Sequence, residues 1–92
     1  MSNDSAQDTA YSDRINEIVN ILNQQAESAP VTDVADSAIY AAARYLVFAH
    51  STQFENRREF DDTKEEALEH FLSAIREVLE ENLEEYSENF SQ

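Results

Sequence analysis

The chain has 92 residues, enough for one small domain, with no cysteine, no glycine, a single proline and a formal net charge of −14. This composition excludes disulfide frameworks and thiolate zinc sites. It also excludes the glycine-dependent phosphate cradles of Rossmann and P-loop proteins, and it disfavours hairpin turns and αL helix caps. Twenty acidic residues face six basic ones, and only Arg57 and Arg58 are adjacent. The clustered cations that phosphate contact needs are missing, so neither direct nucleic-acid binding nor attachment to a membrane is expected.

Residues 1–11 are polar and acidic, without the basic start and apolar stretch of a signal peptide. They read as a disordered tail, leaving 12–92 as a single helical domain in a cytoplasmic protein. A first helix is expected from about Asp13 to Glu27, capped by Ser12. Its apolar residues Ile15, Ile18, Val19, Leu22 and Ala26 recur at helical spacing as one narrow stripe. Pro30 breaks the chain, because it lacks an N–H and fixes φ.

A second helix is expected from Thr32, as N-cap, to about Ser51, with Asp33 and Asp36 at the positive end of its dipole. On a helical wheel Ala35, Ala38, Ile39, Ala42, Leu46 and Ala49 form a wide apolar face, extended by Ala43 and Val47. Asp33, Ser37, Arg44 and Ser51 share a narrow polar arc flanked by Tyr40 and Phe48. Arg44 therefore belongs to a polar edge, its stem over Tyr40 and Phe48 and its guanidinium in water or near a carboxylate. A helix apolar around most of its circumference needs cover on more than one side. The second helix is thus expected to be central and partly covered by another copy of the protein.

Residues 56–62 read as a connection anchored by Phe54 and Phe60, followed by a capping-box-like Asp62-Thr63-Lys64-Glu65 with Asp62 as the cap. A long third helix follows from about Thr63 to Ser87 or beyond. Leu68, Phe71, Leu72, Ile75, Val78, Leu79, Leu83, Tyr86 and Phe90 lie on one broad face, and the glutamates spread over the other. The expected fold is all-α, a three-helix bundle-like domain of two shorter helices and one long acidic amphipathic helix, associating as a helical dimer.

The residues give little support for catalysis, and no cofactor is expected. His70 lies one turn after Glu66, a pair that can hold one edge of a divalent-metal site. The pair lacks the Glu-x-x-His spacing of di-iron bundles and a second such helix, so a solvated histidine beside a carboxylate is the simpler reading. His50 stands near a helix C-terminus, where a partial positive charge is favourable. The glutamate run that includes Glu81 and Glu84 repels itself at i, i+4 spacing and lies at the negative end of the dipole. It reads as a solubilising face, or else as a docking face for a basic partner. The candidate interaction residues are Arg44, Tyr40, Phe48, Glu81 and Glu84.

The stretch "AIYAAARYLVFAH", preceded by an Ile/Val/Leu helix and followed by an acidic one, resembles a family of short bacterial proteins known only as a domain of unknown function, over about Ile15 to Leu83. The resemblance implies a small all-helical bacterial protein and carries over no activity and no site residues. Three functions are left open: a non-enzymatic module acting through self-association or protein–protein interaction; an acidic protein that binds a basic partner or imitates nucleic-acid charge; and a metal or small-ligand binder at a helix interface.

Overall fold

The computed structural model describes residues 3–90, with side-chain exposure defined from Asp8 onward. The described chain is all-α: α1 (Asn3–Gln25), α2 (Val31–Ser51), α3 (Arg57–Asp62) and α4 (Lys64–Phe90), with no strand among the described residues. It divides into two compact units, Met1–Arg44 and Tyr45–Gln92. The boundary falls inside α2.

In the first unit, α1 begins at Asn3 rather than near Asp13, so helix runs through most of the segment expected as a tail. No glycine or proline interrupts residues 3–25, and a polar composition does not prevent helix where no breaker is present. The helix ends in tightening turns, with the Glu27 and Ser28 amides donating to the carbonyls of Gln24 and Gln25. The Pro30 carbonyl then accepts from the amides of Asp33 and Val34. Pro30 thus stands at the N-cap position, and Thr32, expected there, is already inside α2. Burial in this unit is confined to the corner among the described residues. Val34, 7% exposed, is the only buried hydrophobic residue among those described. Leu22, Ala26, Ala29 and Ala38 on either side of Pro30 are half-buried.

The second unit contains one more helix than expected. Residues 57–62, expected as a connection, form the short helix α3. Its N-cap is Asn56, whose Oδ1 accepts from the Glu59 amide at 3.0 Å. Asp62 is consequently the last residue of α3 and not the cap of α4. That position falls to Thr63, whose carbonyl accepts from the Ala67 amide at 2.9 Å. Among the described residues, four helices therefore stand where three were expected.

The absence of glycine has a visible structural consequence. No described residue adopts positive φ, so no helix ends in an αL cap. Hydroxyls take over part of that work, satisfying carbonyls that a helix C-terminus otherwise leaves open. Ser51 Oγ donates to the Phe48 carbonyl at 2.6 Å, Thr52 Oγ1 to Ala49 at 2.7 Å, and Thr63 Oγ1 to Phe60 at 2.9 Å.

Candidate functional site

Two features of the second unit can carry function: a cluster centred on His50 and the exposed faces of α4. His50 lies in the last turn of α2, half-buried. Its ring packs against Phe54, Phe60 and Phe71, with centroid separations of 4.9, 5.7 and 6.1 Å. Phe54 and Phe60 also meet edge-on at 6.1 Å. One residue after α2, one in α3 and one in α4 are thereby gathered on a single imidazole.

His50 Nε2 lies 3.1 Å from Thr63 Oγ1. The Thr63 hydroxyl proton is already committed to the Phe60 carbonyl, and a hydroxyl has only one to give. The oxygen is then placed to accept from Nε2 in the tautomer that carries its proton there, and the contact ties the end of α2 to the start of α4.

His50 shares a shallow pocket of about 220 Å³ with Thr63, Glu66, Ala67, His70 and Phe71. The sequence placed Glu66 and His70 together but left His50 apart from them. No motif or regular spacing in the sequence joins residues 50, 54, 60 and 71. His70 itself is exposed, with its ring 5.6 Å from that of Phe71. Among the described residues no three His, Asp or Glu side chains are grouped so as to hold a metal ion.

On α4, two apolar strips run side by side. At 100° per residue, Ala67 and Phe71 lie on one, and both are half-buried. Leu68, Leu72, Ile75, Leu79, Leu83, Tyr86 and Phe90 fall within a second arc about 80° wide. Every one of these is exposed, from 42% at Ile75 to 87% at Phe90. Leu72, Ile75, Leu79 and Leu83, with Arg76 and Glu80 on their flank, line an open groove of about 550 Å³. Arg76 Nε pairs with Glu80 Oε1 at 2.9 Å, both largely in water.

The other candidate residues are divided between the two units. Arg44 is exposed and makes no ion pair or cation–π contact among the described residues. Tyr40 and Phe48 are exposed as well, and the ring of Phe48 meets Tyr45 at 5.8 Å. Glu81 and Glu84 are exposed.

The described residues are all-α, and the second unit carries a long acidic helix. The chain belongs to the DUF3144 family, described as proteins of unknown function, whose model matches residues 11–87. The match covers most of both units. No curated protein matches the chain, and no solved structure does.

Proposed function

We propose that the protein is a non-enzymatic interaction module that works as a self-associating helical assembly, with the exposed strip of α4 as its principal contact. The observation that supports this most directly is the strip itself: seven large apolar side chains that the second unit leaves exposed. Fully burying a Leu, Ile, Val or Phe side chain is worth about 1.5–3 kcal/mol. Ordering the backbone costs about 1–2 kcal/mol per residue. With Val34 as the only buried hydrophobic residue among those described, the chain has little with which to offset that cost. A contiguous apolar surface of this kind marks an interface, and folding coupled to association is the usual remedy for a domain this small.

The exposed apolar side chains of α2, Ile39, Tyr40, Tyr45, Val47 and Phe48, support the same reading. The bundle anticipated from the sequence would then be completed by helices of a second copy. No helix among the described residues is long and apolar enough to cross a membrane, so burial in a bilayer as a transmembrane span is a poor alternative for these faces. Sedimentation equilibrium at micromolar concentration is the test. A dimer or a higher species is expected, and a monomer of full helicity would overturn the proposal.

A second reading rests on the acidic surface. Glu77, Glu81, Glu84, Glu85 and Glu88 are exposed and join no ion pair among the described residues. A basic protein docking there would be retained in a pull-down from the native host and released by salt.

A further inference from the structure

We infer that the α4 strip is built to receive a second α4 in antiparallel orientation. The inference deepens the self-association reading and rests on it. It starts from how charge is distributed along the helix. Every lysine and arginine of the second unit, namely Arg57, Arg58, Lys64 and Arg76, precedes Glu77. From Glu77 to Phe90 there are six carboxylates and no cation, whereas residues 64–76 hold three carboxylates with Lys64 and Arg76.

A parallel pair would lay the two six-carboxylate halves side by side, at helix separations of about 8–10 Å. That is close to the Debye length of about 8 Å at 0.15 M salt, so the repulsion is only partly screened. An antiparallel pair sets each acidic half against the nearly balanced half of its partner. The helix dipoles are then opposed as well.

The strip has the symmetry this arrangement requires. It runs from Leu68 to Phe90, and its midpoint is Leu79. A two-fold axis through Leu79 lays Phe90 over the partner's Leu68, Tyr86 over the partner's Leu72 and Leu83 over the partner's Ile75. Such self-complementarity is the signature of an isologous contact. The spacing of the strip, 4-3-4-4-3-4, has an 11-residue period, which keeps it on one side of a helix without left-handed supercoiling. Arg76 and Glu80, already paired within one chain, flank the axis. Two cations then lie at the centre of the interface, where the outer halves supply none.

Disulfide trapping tests the orientation, because the chain has no cysteine of its own. Leu79→Cys should oxidise to a covalent dimer. Phe90→Cys alone and Leu68→Cys alone should not, since antiparallel pairing holds identical ends about 33 Å apart at 1.5 Å per residue, far beyond disulfide reach. The double variant Leu68→Cys/Phe90→Cys should cross-link. Rapid self-linking of Phe90→Cys in a protein that sediments as a dimer would overturn the antiparallel arrangement and leave self-association standing. A sedimenting monomer whose α4 amides are protected from exchange would overturn both, because the first unit would then cover the strip.

Discussion

The two units turn their corners by different physics. In the first, Pro30 stops one helix and starts the next, and protection comes from Val34 with its half-buried neighbours Leu22, Ala26 and Ala38. In the second, an Asn56 cap, a short helix and Thr63 bring three phenylalanines around a histidine that also makes a directional hydrogen bond. A purely apolar corner tolerates any side chain of suitable volume. A corner with a polar atom in it must meet a geometric condition, since an unpaired donor in partial burial is costly. The second unit should therefore be the better specified of the two, and its α2–α4 junction the fixed point from which α4 projects its strip.

The comparison can be broken most severely on the strip. Leu79→Glu places a carboxylate at the proposed axis, and sedimentation equilibrium should show association weakened by at least about 100-fold, on the scale of a disrupted interface hot spot. Next comes Phe71→Ala, which removes the ring that links α4 to His50. For a half-buried aromatic it should cost about 2–3 kcal/mol, below the full-core range, as read by chemical denaturation. Val34→Ala should cost about 1–2 kcal/mol. Hydrogen exchange sharpens that result: the corner amides around Pro30 should open while those at residues 60–71 keep their protection. Equal loosening at both corners would show that the two are coupled.

Smaller effects probe the polar contacts. Thr63→Val keeps the shape but leaves His50 Nε2 and the Phe60 carbonyl without a hydroxyl partner, at a cost of about 1 kcal/mol; Thr63→Ser should restore most of it. Arg44→Met should change stability by less than about 0.5 kcal/mol, as for other surface substitutions away from specific contacts. A loss of several kcal/mol would show that Arg44 is buried against a carboxylate in the assembly.

Periodicity made α2 and α4 legible, because a stripe of apolar residues at helical spacing survives any choice of neighbours. The start of α1 was not legible, since residues 3–12 carry neither stripe nor breaker and composition alone favours a tail. In the α3 region the expected cap was Asp62, three residues before Glu65. The structure caps a helix with Asn56 instead. That choice turns the chain so that Phe60 reaches His50 and Phe54, a tertiary benefit that local propensity does not register. The His50 cluster was hidden for the same reason: its members come from separate places in the sequence and carry no motif.

The bond from His50 to Thr63 spans only 13 residues, and the ring contacts of His50 reach no further along the chain than Phe71. Contacts this local close small loops, whose entropic cost rises only slowly with length. Proteins dominated by such contacts fold in microseconds to milliseconds. Residues 45–71 should thus form their corner early after synthesis or dilution from denaturant, before any second chain arrives. Appearance of the final helicity would then carry two phases: a fast one independent of protein concentration, and a slower one whose rate rises with it as α4 finds its counterpart. The aromatic corner would act as the nucleus of folding, and assembly would be the step that a cell's protein level controls.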